Sequence, residues 1–169
     1  LNTGSLATKI DEFFNAMQDL SVHLGDSIYQ NQVATTANSL ASQLRTYGDF
    51  FNNINAEIVS EAQLSLEKIN TLCARIAQLN GTIADFEVRG VEVGNLRDDR
   101  DKNVSDLAEL IRLQTIERED GVVDVSFNGM AIVSGRAYHS LTIKMQADGK
   151  LGITMAGDDN YTTTLEGGK

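Results

Sequence analysis

An apolar stripe from residue 33 to residue 86 dominates the pattern of this sequence. Its members step by four and three residues in alternation, apart from two successive steps of four around Ile58, and a single polar residue, Ser65, interrupts it. A heptad repeat of this length is typical of a long helix packed lengthwise on other helices. Such a helix would span roughly 80 Å, which predicts a rod. The stripe comprises Val33, Ala37, Leu40, Leu44, Tyr47, Phe51, Ile54, Ile58, Ala62, Ser65, Ile69, Leu72, Ile76, Leu79, Ile83 and Phe86.

A shorter stripe precedes it and predicts a first helix at about residues 5–24. Ser5 is its expected N-cap, and Gly25 is suited to end it. Asp26 or Ser27 would then cap the second helix, at about residues 27–87. Because the connection is short, we expect the first helix to fold back antiparallel and to cover the first half of the long stripe. The shorter stripe comprises Leu6, Ile10, Phe13, Met17, Leu20 and Leu24.

Two glycines interrupt the long second helix and make it locally weak. Each of Gly48 and Gly81 lowers the stability of the helix by about 1 kcal/mol relative to alanine at an interior position. The sequence leaves open whether the helix kinks or breaks at Gly48. Much of the helix surface is polar and uncharged, so it is either solvated or packed against polar neighbours in an assembly. The polar residues concerned are Gln32, Thr35, Thr36, Asn38, Ser39, Ser42 and Gln43.

A glycine-containing loop at residues 87–94 separates the long helix from a third helix at about residues 95–112. Asn95 is its expected N-cap, and Asp98 occupies the position of a capping-box acid. We expect this helix to run back along the C-terminal half of the second helix and to cover that part of the stripe. Its own apolar residues are Leu96, Val104, Leu107 and Ile111.

Near residue 113 the apolar period changes to two, which predicts β-strands. Asp120-Gly121 and Asn128-Gly129 are strong signals for two-residue hairpin turns. Further turns are expected at 147–149 and 157–160, with a last strand at 161–165. About six antiparallel strands follow from this pattern, polar on one face. The alternating apolar residues are Val123, Val125, Phe127, Leu141, Ile143, Met145, Leu151, Ile153 and Met155.

The predicted fold class is therefore α+β. A long-helix, rod-like antiparallel bundle at residues 1–112 precedes a small antiparallel β domain at residues 113–169. The sequence lacks an initial methionine and ends after a last predicted strand with no closing element. We therefore expect it to be a fragment of a longer protein whose β domain is incomplete.

Composition excludes several functional classes. The net charge of −10 and the pI near 4.5 argue against binding to nucleic acid or to anionic membranes. Hydrophobic residues make up 41% of the chain, which is enough for a buried core. Neither a transmembrane segment nor a secretory signal is expected from the sequence.

Few residues suggest chemistry. His23 and His139 have no second ligand at metal-binding spacing, and Cys73 flanks the long stripe, where a buried thiol behaves as a small apolar group. The cluster Asp98-Asp99-Arg100-Asp101 lacks EF-hand spacing, and its carboxylates fit the first turns of a helix, where Arg97 and Arg100 could pair with them.

The turn at Gly157-Asp158-Asp159 is an equally weak metal signal, and no phosphate-binding glycine motif occurs. We predict that the protein is not an enzyme and that it has no catalytic, cofactor-binding or metal-binding residues.

Several stretches, taken in order, resemble the flagellar hook-associated protein 1 family. The resemblance rests on Ile10–Leu20, on Ile69-Asn70-Thr71-Leu72 with Ile76–Asn80, on Asn95–Asp101 with Leu107–Leu110, and on Glu119–Val125 with Ile132–Gly135. Where that family often has a second leucine after the start of the third helix, this sequence has Arg97. The apolar stripe survives without that leucine.

The resemblance implies a structural subunit of the bacterial flagellum at the junction between hook and filament. Such proteins leave the cell through the flagellar type III pathway and assemble as a homo-oligomeric ring. The implied partners are the hook protein and the next hook-associated or filament protein, with an inner coiled-coil core formed by terminal helices outside this chain. The isolated fragment is then expected to be monomeric and to have no cofactor.

Two alternatives remain open from the sequence. Flagellin shares a segment of the third-helix type, so another axial flagellar protein is the nearest competitor. The other alternative is an adhesive or signalling coiled-coil stalk, in which two copies of the chain pair in parallel through the long stripe. An enzyme built on the β domain would require a pocket containing several perturbed titratable groups.

Overall fold

The structure is a computed structural model that describes residues 5–146, 150–157 and 162–164. The predicted turn at 147–149, residues 158–160 of the next predicted turn, and residues 161 and 165 of the predicted last strand lie outside the described residues.

Three helices come first in the chain, in the predicted order. They are α1 (Leu6–Val22), α2 (Ser27–Glu87) and α3 (Gly94–Leu110). The 61-residue α2 is helical throughout, including Gly48 and Gly81, so the break left open at Gly48 does not occur. No helix in the described part of the chain is long and apolar enough to cross a membrane.

Two of the three predicted helix caps are present. Ser5 Oγ accepts a hydrogen bond from the Thr8 N–H at 3.3 Å, and Asp26 Oδ1 accepts one from the Ile28 N–H at 2.8 Å. The prediction that Asn95 caps α3 is wrong. The helix begins one residue earlier with Val93 as N-cap, whose carbonyl accepts the first intrahelical bonds, so Asn95 lies inside the helix.

Contacts group the chain into two compact units, Leu1–Val59 and Ser60–Lys169. The first contains α1 and residues 27–59 of α2, and the second contains the rest of α2, α3 and all the strands. These units are defined by contacts, whereas the boundary predicted after residue 112 separates the helices from the strands. That division into domains stays a prediction.

The first unit buries little. Ala16 and Thr36 are its only buried residues among those described. Half-buried apolar residues lie on α1 and on the first part of α2, as expected for an antiparallel helix pair; they are Leu6, Phe13, Leu20, Val33, Ala37 and Leu40. Across the connection, the His23 ring stacks on Tyr29 with centroids 4.1 Å apart.

The second unit contains two antiparallel sheets. The first sheet has the order β1 (Leu113–Glu117), β2 (Val123–Phe127), β3 (Met130–Ser134) and β4 (Ala137–Tyr138). The second sheet has the order β5 (Leu141–Met145), β6 (Leu151–Met155) and β7 (Thr162–Thr164). The described residues form seven strands, where the sequence pattern predicted about six. At the β2–β3 turn, Asn128 and Gly129 have φ of 47° and 82°, which confirms the Asn-Gly hairpin prediction.

One hydrophobic core joins the helices and sheets of the second unit. Its buried residues come from α2, α3 and both sheets. The α+β fold class is confirmed, but the later part of the long stripe packs against strands as well as α3. The core comprises Leu66, Ile69, Leu72, Cys73, Ile76, Ala77, Leu107, Val123, Val125, Phe127, Met130, Ile132, Val133, Leu141 and Ile153.

We expect Leu107→Ala to destabilise the second unit by about 2–5 kcal/mol, because it leaves a cavity at a fully buried position of α3. Leu64→Ala is the matched control, since Leu64 is 65% exposed and its truncation should cost no more than about 0.5 kcal/mol. Urea unfolding followed by circular dichroism measures both. Equal unfolding midpoints for the two variants would contradict this description of the core.

Candidate functional site

The described residues that make the most specific long-range contacts are two asparagines on α2. Asn80 is fully buried, and its side-chain amide bonds to two segments of the first sheet. Its Nδ2 donates to the Val123 carbonyl at 2.7 Å and to the Gly135 carbonyl at 2.9 Å, while its Oδ1 accepts from the Val123 N–H at 3.1 Å. The amide therefore donates two hydrogen bonds to the sheet through its nitrogen and accepts one through its oxygen.

Asn70 makes the same kind of contact with the second sheet. Its Nδ2 donates to the Leu141 carbonyl at 2.9 Å, and its Oδ1 accepts from the Leu141 N–H at 2.8 Å. Each asparagine thus pairs with both backbone groups of one strand residue. Ten residues separate the two, which is about 15 Å along a helix, so α2 fixes the position of each sheet separately.

The geometry of the strands explains why a side chain can make these bonds. Antiparallel strands direct the N–H and C=O groups of alternate residues away from a given neighbour. Arg118 N–H donates to the Val122 carbonyl, so in the β1–β2 register the backbone groups of Val123 point away from β1. Ala156 N–H donates to the Ser140 carbonyl, so those of Leu141 point away from β6. The two carboxamides take the place of a neighbouring strand's peptide group.

These asparagines were not predicted as functional from the sequence, although a signal for them exists. Leu66, Asn70, Cys73, Ala77 and Asn80 form a second stripe on α2 with the same alternating spacing as the first. A polar residue in a heptad position often specifies how neighbours align, at some cost in stability. The second stripe faces the core of the second unit.

An ionic network holds the start of α3 to the end of α2 and to the β1–β2 turn. Arg97 pairs with Glu87 and, at 3.4 Å, with Glu117. The hydrogen bond that Arg97 donates to Glu87 raises the pKa of Arg97. Arg100 is only 2% exposed, donates to the Gly121 carbonyl and pairs with Asp101 at 3.0 Å. Arg100 pairs locally as predicted, whereas Arg97 pairs with residues on other elements.

Gly121 closes the turn beneath this network. Its φ of 72° favours glycine, and a Cβ there would lie 2.7 Å from both an Arg97 Nη2 and a Glu87 Oε2 atom. The Asp120-Gly121 signal in the sequence therefore reflects both backbone conformation and a close approach of side chains.

A groove of about 800 Å³ lies next to the end of α2, bordered by residues that include Val88, Arg118 and Arg136. Both arginines already have carboxylate partners, since Arg118 Nε donates to Asp124 at 2.7 Å and Arg136 donates to Asp85 at 2.5 Å. The hydrogen bond from Arg136 lowers the pKa of Asp85. The groove therefore does not offer a free basic group for an anion.

The remaining sequence candidates each have their own local surroundings. His23 is exposed, and its Nδ1 is 3.0 Å from the Asp19 carbonyl oxygen; His139 is exposed beside β4. Cys73 is fully buried, and burial raises the pKa of its thiol from 9.0 to about 11.

Asp98 and Asp99 are exposed on α3. No group of three potential ligands for a metal ion occurs among the described residues, and residues 158 and 159 lie outside them.

Exposed apolar side chains concentrate in the first unit. On the long stripe, Leu44, Phe51 and Ile58 are 51%, 63% and 50% exposed. The prediction that the first helix covers the first half of the stripe is wrong for residues 44–58, because α1 has only 17 residues and reaches no further along α2 than about its own length. We call residues 44–58 of the stripe the open seam.

Comparisons with known proteins agree on one family. Residues 2–169 match the family model of the helical domain of the flagellar hook-associated protein FlgK. Flagellar hook-associated protein 1 of Escherichia coli K12 is 26% identical over 145 residues, which cover 83% of this chain and 26% of that protein. The Salmonella typhimurium protein of the same name is 23% identical over 169 residues, which cover 97% of this chain and 30% of that protein.

A solved structure is also similar. The flagellar hook junction protein FlgK from Burkholderia pseudomallei matches with a TM-score of 0.76 and 27% identity, covering 97% of this chain and 30% of that one. These matches confirm the resemblance drawn from the sequence motifs. The chain spans less than a third of the length of each of these relatives.

We expect Asn80→Asp to destabilise the second unit by about 3–5 kcal/mol, because it removes two donors and places a buried carboxylate against two carbonyl oxygens. Asn95→Asp is the matched control, since Asn95 is exposed in the first turn of α3, where an acid is tolerated. Urea unfolding measures the difference. Similar midpoints for both variants would mean that the amide of Asn80 does not hold the sheet.

We expect the Cys73 thiol of the folded protein to react at least about 100-fold more slowly with a disulfide reagent at pH 8 than the thiol of the unfolded chain, because the fully buried thiol is shielded from the reagent and burial also raises its pKa. Since the folded pKa is the higher one, the thiol's contribution to stability is complete below pH 9.0 and is lost as pH rises to about 11. Cys73→Ala should lose less stability over that pH range. An unchanged pH dependence in this variant would contradict the assignment.

Proposed function

This chain belongs to the FlgK family of flagellar hook-associated proteins, and from that premise we propose that it is part of a structural subunit joining hook and filament. In this proposal the complete protein is an extracellular component of the flagellum, exported by the flagellar type III pathway. It self-assembles as a ring and contacts the hook protein on one side and the next hook-associated or filament protein on the other. Its role is structural and not catalytic.

The observation that carries the proposal is the open seam. A heptad repeat that continues through residues 44–58, and of which only Ile54 is half-buried while the other members are exposed, has the spacing to receive further helices. Soluble monomers rarely expose contiguous apolar surface of this kind, and larger exposed patches mark sites of protein–protein contact. Helices from the remainder of the protein or from neighbouring subunits would supply that cover.

A charge-free segment of α2 also supports an assembly role. Residues 27–44 contain no Asp, Glu, Lys or Arg, although the whole chain carries a net charge of −10. Charged residues are depleted from the centres of protein interfaces. Acidic subunits approach one another most easily through such a surface, because it adds no like-charge repulsion.

The stalk alternative uses the same seam differently. In a parallel dimer of two copies, residues 44–58 would cover each other, and this chain would sediment as a dimer at micromolar concentration. The proposed junction role instead leaves this chain monomeric. Sedimentation velocity therefore separates the two.

We expect Phe51→Asp, made in the complete protein, to weaken binding to hook ends at least tenfold, because a charge would enter a surface that assembly buries. Asn52→Asp is the matched control, since Asn52 is exposed and lies off the stripe. Binding to purified hooks and polymerisation are the measurements.

The same two substitutions in this 169-residue chain separate assembly from folding. Because Phe51 is exposed here, Phe51→Asp should change the unfolding free energy of the chain by no more than about 0.5 kcal/mol. A Phe51→Asp protein that binds hooks normally would contradict the role of the open seam. A complete wild-type protein that binds neither hooks nor filament subunits would contradict the junction function itself.

A further inference from the structure

Strand β1 forms an edge of the first sheet, and its outer side carries unpaired backbone groups. It pairs with β2 alone, from Leu113 opposite Phe127 to Glu117 opposite Val123. Since the Arg118 N–H donates to the Val122 carbonyl, the alternation of the ladder turns the N–H and C=O groups of residues 114 and 116 toward β2. Those of Leu113, Thr115 and Glu117 therefore face outward and bond to no described residue.

Two of the other edges in the described sheets offer fewer unpaired backbone groups than β1 does. On the far side of the first sheet, β4 has only two residues. In the second sheet, Asn70 bonds to both backbone groups of Leu141, the first outward-facing residue of β5. Proteins usually blunt a free edge with short strands, proline, bulges or charge, because an unprotected edge pairs readily with another chain. β1 has five residues, no proline and no irregularity in its pairing with β2, and its one charged residue, Glu117, lies at its end.

The side chains of β1 also lack the cover that their neighbours have. Thr115 lies opposite Val125, which is buried, yet Thr115 is exposed on the same face of the sheet. On the other face, Ile116 is 68% exposed. The core of the second unit therefore thins out at β1, where a further strand would complete it.

We propose that β1 is a strand-addition site, and that an extended segment from the remainder of the same polypeptide pairs with its outer edge. Such a segment would exchange backbone hydrogen bonds with Leu113, Thr115 and Glu117, and would place alternate apolar side chains beside Thr115 over the core. The relatives that match this chain extend over more than three times the length that it matches, so a family member has ample chain to supply this strand.

A second copy of this chain fits the edge less well. Two β1 strands that pair with each other antiparallel form a closed, two-fold contact, which ends assembly at a dimer. The negative charge of −10 on each copy also opposes such a contact. A segment of the same polypeptide meets neither obstacle, since covalent connection raises its effective concentration.

Residue-resolved amide exchange on the complete monomeric protein and on this chain tests the proposal. We expect the Thr115 amide to exchange at least about 100-fold more slowly in the complete protein than in this chain, independently of protein concentration. Gln114 and Ile116 are internal controls, because their amides face β2 and should be protected in both proteins. Because the measurement is made on the monomer, its outcome does not depend on hook binding.

Proline substitutions provide a second measurement. Thr115→Pro removes an outward-facing N–H, so it should lower the urea midpoint of the complete protein and leave that of this chain nearly unchanged. Gln114→Pro removes an N–H that faces β2 and should lower both midpoints.

Three results would overturn the proposal. They are a Thr115 amide that exchanges rapidly in both proteins, protection that rises with protein concentration and so comes from another molecule, and a Thr115→Pro substitution that destabilises this chain as much as the complete protein.

Discussion

Two carboxamides on one helix determine how the second unit is put together. The hydrophobic core supplies the driving force there, but apolar contacts are non-directional and would tolerate a sheet displaced along α2. Asn70 and Asn80 remove that freedom, because each bonds to both backbone groups of a single strand residue. A displaced sheet would leave a buried amide unpaired, which costs more than a mispacked methyl group. The spacing of the two residues on α2 thus specifies where both sheets attach.

The two units illustrate different balances between burial and exposure. The second unit has a core drawn from two helices and two sheets, closed at the α2–α3 connection by Arg97, Arg100 and the turn at Gly121. The first unit has a helix pair in which Ala16 and Thr36 are the only buried residues in the part that the structure describes. Such a pair has little apolar burial of its own to offset the entropy of ordering its chain, so its stability depends on additional packing partners. An assembly subunit that completes its fold on joining its neighbours would have this character.

Periodicity predicted the three helices and most of the strands, because local spacing determines which face of an element is apolar. It could not predict what covers each face. The stripe near Leu44 and the stripe near Ile76 have the same pattern, yet the first is open and the second is buried under strands. Tertiary partners decide that difference, and they lie far away in sequence or outside this chain. The predicted Asn95 cap lies two residues too late, because α3 begins from Val93 without any side-chain cap bond that the sequence could signal. The role of the two asparagines was not predicted, because their partners are backbone groups of distant strands. Such groups are present in every residue and carry no sequence signature.

Asn80 is followed directly by Gly81, and this pair has a chemical consequence. Asparagine before glycine is a dipeptide prone to deamidation, since the glycine nitrogen can attack the side-chain amide with little steric hindrance, and asparagine is among the thermolabile residues. The folded helix holds that nitrogen in a backbone hydrogen bond and buries the amide. A chain that stays unfolded loses this protection, and deamidation would turn the donor that holds the first sheet into a carboxylate. The time spent unfolded before assembly therefore limits how many molecules can still fold correctly.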